Sequence, residues 1–176
     1  KGIYRMYARF RPYHLIGAIG GFLTVLTAII SLAVSTSYYI SAEWVIIVNM
    51  LLIGSNGLIA TYFFGAFSAS RDSLIKVGSL IAGIGLGFNV LISILQMAGV
   101  YVFVLALLGA LVMMAGVVIA CIKFIMLFQR DAFVVVFCVF IFLGLLLSLF
   151  WTWASLISGA GLGGLLIYFY VHNITY

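Results

Sequence analysis

The sequence predicts an all-α integral membrane protein, a bundle of about six transmembrane helices that follows a short interfacial segment. Three observations carry this expectation. The 176 residues are 67% hydrophobic and only 6% charged, with a mean hydropathy of +1.40. A soluble domain carries roughly 25% charged residues, and a fold of this size leaves too much surface exposed to hide so many apolar side chains from water. The apolar runs are long and continuous, without the period-2 alternation of a lipid-facing strand. The few charges fall between the runs or at their ends, and none falls near mid-bilayer.

Residues 1–13, KGIYRMYARFRPY, form the interfacial segment. Tyr4, Tyr7 and Phe10 recur at helical spacing among Lys1, Arg5, Arg9 and Arg11. An aromatic face and a basic face suit rings at headgroup depth and cations against anionic lipid. Pro12, the only proline, suits the first turn of a new helix.

A single transmembrane domain, 14–172, is expected after it. Span one covers about 14–34 and leaves through the polar, aromatic stretch Ser35–Ser41. Span two covers about 43–67 and stops at Ser68–Ser73, which holds Arg71 and Asp72. Span three, about 74–97, is rich in glycine, and Gly99 marks a tight turn. Span four covers about 101–127, before Gln129, Arg130 and Asp131. From Ala132 to His172 no charge and no proline occurs. That stretch as one helix would measure ~60 Å, about twice the hydrocarbon thickness. The chain is therefore expected to turn back at Phe150–Ser155, where Trp151 and Trp153 suit an interface belt. This gives spans at about 133–149 and 156–171. Without that turn the count is five.

The charges supply an orientation. With the N-terminus inside and six spans, all eight Lys and Arg residues fall on the inner side, and only Glu43 falls on the outer side. That is the distribution of the positive-inside rule, so the basic N-terminus is expected on the cytoplasmic side. The same reading places Lys76 and Lys123 at inner helix ends, where they can snorkel. It leaves no basic face for nucleic acid. No leader with a short apolar run and a cleavage site is evident. The triplet Asn173–Ile174–Thr175 fits a glycosylation acceptor, but under six spans it lies inside and is inert.

Glycine carries the packing signal. Gly17 and Gly21, Gly83 and Gly87, and Gly159 and Gly163 stand four apart in spans one, three and six. Gly78 and Gly85 accompany the second pair, and Gly161 and Gly164 the third. Small residues at that spacing let backbones approach closely. The run Gly159–Gly164 is also dense enough to break a helix, as in transporters that bind solutes at mid-membrane.

The intramembrane polar residues are few. Asn49 and Asn56 share a face of span two, beside Ser55; Asn89, Ser93 and Gln96 share a face of span three. Facing amides either hydrogen-bond one helix to another or line a path. Span five, with Phe133, Phe137 and Phe140, is apolar all round and is expected to face lipid or another subunit.

No catalytic constellation is found. Glu43, Asp72 and Asp131 sit on separate turns, and no paired carboxylates, metal-binding repeat or Ser/His/Asp set can be assembled. His14 and His172 are expected at inner helix ends, facing water or headgroups, and Cys121 and Cys138 are expected to be apolar packing residues. Neither a metal nor any other cofactor is expected. Partners are lipid and either other membrane subunits or further copies of the chain. The function expected first is that of a non-catalytic accessory subunit of a membrane complex, acting by helix packing. The second is a small oligomeric transporter or channel with a polar path between spans two and three.

Overall fold

The structure, a computed structural model, describes residues 2–36, 41–100 and 102–176, with side chains from Phe10 on, residue 152 excepted. The chain is all helical. Six α-helices follow one another: α1 (Gly2–Ser35), α2 (Ala42–Ala69), α3 (Ser73–Met97), α4 (Phe103–Leu127), α5 (Ala132–Ser148) and α6 (Ser155–Val171). Four of them, α1 from Phe10 onward and α2 to α4, are long and apolar enough to cross a membrane; α5 and α6 are shorter apolar helices of 17 residues each. These features are those of an integral membrane protein.

The helices stand in a closed ring. Each packs against its neighbours in sequence, α6 packs against α1, and the α4–α5 contact is the slightest of the six. Neighbours run antiparallel. Along α1, Gly17 and Gly20 meet Tyr62 and Ile59 of α2, in reversed order. Along α3, Gly78 and Gly85 meet Ala120 and Met113 of α4 in the same way. The outer surface of the ring is apolar, with Ile19 and Phe22 of α1, Ile84 and Leu91 of α3 and Phe133 and Phe142 of α5 exposed.

Helix ends follow local chemistry. Asp72 caps α3 by accepting from the amides of Leu74 and Ile75, at 2.9 and 3.1 Å. Asp131 caps α5 by accepting from Phe133 and Val134. Both acids also clamp a neighbouring helix. Lys123 of α4 reaches Asp72 at 2.9 Å. The Tyr168 hydroxyl of α6 donates to Asp131 at 2.6 Å. Partial burial of Asp72 opposes its ionisation, but the bonds from Lys123 and the two amides outweigh that and hold its carboxyl below the usual value. The stability it contributes is therefore present above the ordinary carboxylate range and is lost as pH falls through the lowered value. Asp72→Ala removes cap and clamp together, and thermal unfolding in detergent should show a loss of about 1–2 kcal/mol. Gly99, with φ +80°, makes the turn from α3 toward α4 that its position predicts.

Three readings of the sequence are corrected here. No new helix starts at Pro12: α1 is continuous from Gly2 to Ser35 with Pro12 inside it. Nor is α6 broken at Gly159–Gly164; the helix runs unbroken from Ser155 to Val171, because neighbouring helices fill the space those glycines leave. The expected turn back near Phe150–Ser155 is present between α5 and α6, with a single 3-10 turn at Thr152–Ala154. Nor does α5 face outward on every side. It buries Val134, Cys138, Ile141 and Leu145 in the ring.

Candidate functional site: a central cavity above an aromatic plug

The closest approaches between helices use glycine, and four of the six predicted glycines meet at one seam. A methyl group placed on Gly21 of α1 would lie 2.6 Å from the amide nitrogen of Gly163, and one on Gly159 would lie 2.8 Å from the carbonyl oxygen of Gly21. Gly17 sits where α1 meets both Leu166 and Tyr62. Gly83 accommodates the ring of Phe64 on α2. Gly87 is different: it is exposed, and nothing lies within 4 Å of the place where its side chain would be. The α3–α4 seam relies instead on Gly78, Gly85 and Gly116. Gly116 lies on a helix whose glycines, Gly109 and Gly116, are seven apart and carry no four-residue signal.

Inside the ring is a cavity of about 480 Å³, lined by residues of all six helices. It occupies the half of the ring farther from the termini. Its walls hold eight hydroxyl side chains, Thr24, Thr27, Ser31, Ser55, Ser93, Ser148, Ser155 and Ser158, together with the amides of Asn56 and Asn89. Apolar walls come from Leu52, Ile92, Met113 and Leu145, and Phe63, Leu86, Val117 and Ile141 lie toward the plug. Among the described residues no charged side chain lines it.

Six of the eight hydroxyls share one orientation of hydrogen bonding. Thr24 donates to the Gly20 carbonyl, Thr27 to Leu23 and Ser55 to Leu52. Ser93 donates to Asn89, Ser148 to Leu145 and Ser158 to Ser155. Each proton is committed to the residue's own helix, so the oxygen lone pairs remain for the cavity. Those six hydroxyls offer the cavity acceptors, beside the amides of Asn56 and Asn89, which can donate as well.

Of the predicted polar residues, Asn56 and Asn89 come together at the cavity, but on the ring's interior with α1, α5 and α6 beside them. Asn49 is buried outside the lining and donates to the Val45 carbonyl at 2.9 Å. Gln96 is half-buried and also outside the lining. The Asn89 amide nitrogen lies 3.7 Å from the Met113 sulfur, a weak link to α4.

Beneath the cavity an aromatic plug closes the ring. Phe10 and His14 of α1, Tyr62 and Phe63 of α2, Phe124 of α4, Phe169 of α6 and Tyr176 pack together there. Tyr176 reaches the plug because the chain reverses after α6. Asn173 takes the left-handed conformation, φ 51°, and the Ile174 amide donates to the Phe169 carbonyl at 3.0 Å. That is a Schellman helix end, and asparagine tolerates its backbone best after glycine. The hydroxyls of Tyr62 and Tyr176 then bond to each other.

The plug corrects the reading of His14. It does not face water or headgroups but is 1% exposed, and neither ring nitrogen has a hydrogen-bond partner. His172 is exposed as expected, with its ring against Tyr168. Cys121 and Cys138 are free and buried in the core. Of the interfacial set, Arg11 is exposed over the Tyr170 ring at 4.8 Å, whereas Phe10 is buried in the plug and not at headgroup depth. The side chains of Tyr4, Arg5, Tyr7 and Arg9 lie outside the described residues, as does all of Lys1. Among the described residues no three metal-ligating side chains converge.

Comparison with known proteins returns no match to a protein family, a curated protein or a solved structure.

Proposed function

We propose that the chain is a small membrane carrier that binds an uncharged, donor-bearing solute in the central cavity. The observation that carries this reading is the ring of hydroxyl acceptors around a closed-ended space. Its volume, about 480 Å³, is within the ordinary range for small-ligand sites. With no charged residue in the lining, a charged solute would be left unpaired at a high desolvation cost. A neutral molecule with O–H or N–H donors and some apolar surface matches both the acceptors and the apolar walls.

In this reading all six helices cross the membrane. The 17 residues of α5 and of α6 rise about 25 Å, short of a ~30 Å hydrocarbon core by an amount that local thinning accommodates. The termini face the cytoplasm, since Arg11, Arg71, Lys76, Lys123 and Arg130 all belong to their end of the ring and Glu43 to the other. The cavity then belongs to the outer half, and the plug closes the cytoplasmic half. This is one of the two states that alternating access requires.

The test is flux into proteoliposomes, followed by light scattering, for uncharged solutes graded in size from urea to hexitols. Protein-dependent entry of one size class, absent for ions, is the expected result. Entry no faster than into protein-free vesicles for every solute would count against the carrier.

One observation favours the accessory-subunit reading. Gly87, on the lipid-facing side of α3, leaves a notch that no helix of this chain fills. A partner helix packed there would be lost from the purified complex after Gly87→Leu, as read by mass spectrometry of what co-migrates in gentle detergent.

A further inference from the structure

We propose that His14 is a proton-binding site, and that its protonation opens the aromatic plug. His14 is a buried imidazole without a hydrogen-bond partner for either ring nitrogen. The ring stacks on Phe10 with centroids 5.8 Å apart and meets Phe169 and Tyr176 edge-on at 5.6 and 5.7 Å. Tyr62 is 6.0 Å away on the α2 side. A phenyl ring would fill this cage as well. It would also avoid leaving a buried donor and a buried acceptor unpaired, which costs free energy in the closed state.

The groups around it give the imidazole no means of holding a charge. From α2 the titratable neighbour is Tyr62 and from the C-terminal segment Tyr176, and their hydroxyls are bonded to each other. From α4 and α5 the nearest titratable side chains in the same core are the thiols of Cys121 and Cys138. From α6 the contact is Phe169, and from α1 itself Phe10, with Arg11 turned outward to Tyr170. Among the described residues no carboxylate side chain pairs with the ring, and the one salt bridge, Lys123–Asp72, lies elsewhere. A protonated imidazole carries two N–H donors and a positive charge, and an unpaired buried charge is tolerated poorly. It gains partners only if the cage parts and admits water. Proton uptake and opening are thus one event. This deepens the carrier reading by naming the proton as the ion that releases the closed end.

The two native thiols report the event without any solute, so the result stands apart from the fate of the carrier reading. N-ethylmaleimide reacts with thiolates, whose fraction falls ten-fold per unit of pH below the thiol's titration. An opening that takes up one proton grows ten-fold per unit as pH falls below about 6.5. In the full chain in liposomes the two trends cancel. The labelling rate of Cys121 and Cys138 is expected to stay within about 3-fold from pH 6.5 to 5.5. In His14→Gln it is expected to fall about ten-fold over the same interval, with His172→Gln behaving as wild type. His14→Phe, which keeps the cage aromatic, gives the same comparison if the glutamine variant does not fold. A ten-fold fall in the wild type, a flat rate in both His14 variants, or thiols unreactive at either pH would each overturn the proposal.

Discussion

Gly116→Leu should prevent the ring from assembling. A methyl group alone on Gly116 would overlap the Ala82 backbone of α3, and Gly78 faces Gly116 and Ala120 from the other side. The two backbones are in contact, so no rotamer relieves the clash, and the helices must part. Overpacking of a well-filled core costs about 1–3 kcal/mol, and the rigid backbone neighbour puts this case at ~3 kcal/mol or beyond. Gly21→Leu should act in the same way at the α1–α6 seam, where the Gly163 amide is the obstacle. Gly87→Ala is the control. Nothing stands near that position, and alanine is the better helix former, so the change should be neutral or stabilise by about 0.5–1 kcal/mol. Size-exclusion profiles with thermal melts in detergent separate these outcomes. Equal tolerance of the Gly116 and Gly87 changes would contradict the packing described.

The double change Asn56→Leu, Asn89→Leu should abolish solute entry while leaving the fold intact. The two amides stand in one cavity with the hydroxyl acceptors. Neither is a strong strut: the one hydrogen bond that links Asn89 to another helix is the 3.7 Å approach to a sulfur. Polar contacts between membrane helices are worth only ~0.6–2 kcal/mol each, so the loss of stability should be small. In the carrier reading the loss of recognition should be larger, since two polar groups of the proposed solute site are replaced by apolar bulk. Flux reduced more than ten-fold with an unchanged melting profile is the expected pattern, for about 1.4 kcal/mol in an equilibrium or a barrier corresponds to ten-fold. Unchanged flux would place the amides among packing residues only.

Much of this architecture is legible in the chain. The helix ends at Asp72 and Asp131 can be read because a carboxylate after one apolar run and before the next is both a polar interruption and an N-cap. The turn before α6 is legible from the tryptophans and from the length that an unbroken helix would need. The glycine pairs of α1 and α6 are legible as close-packing faces, but which helix each meets is not, since ring closure joins residues at opposite ends of the sequence. The cavity was hidden for a related reason. Its hydroxyls come as one to three per helix, with none from α4, and a Thr24 or a Ser148 inside an apolar run gives no periodic signal of its own. Only the ring brings them to one place.

The burial of His14 is not legible in the sequence, because position along a helix does not fix exposure. The residue is near the start of the apolar run, but its neighbours in space are Tyr62, Phe169 and Tyr176, far away in sequence. Tyr176 itself gave no sign, because its place depends on the left-handed Asn173 that redirects the chain.

The most direct test of the carrier reading is whether polar solutes reach the inside of the ring. Thr24 lies three turns in from the end of α1 and lines the cavity, whereas Leu26 is two residues on and faces outward at 46% exposure. Each is replaced by cysteine in turn and exposed in intact cells to a polar, membrane-impermeant maleimide, with the modified site located by mass spectrometry. Thr24→Cys is expected to react from the extracellular face, and Leu26→Cys, set against lipid, is not. If Thr24→Cys stays as unreactive as Leu26→Cys, the interior is closed to water-borne solutes, and the carrier reading falls.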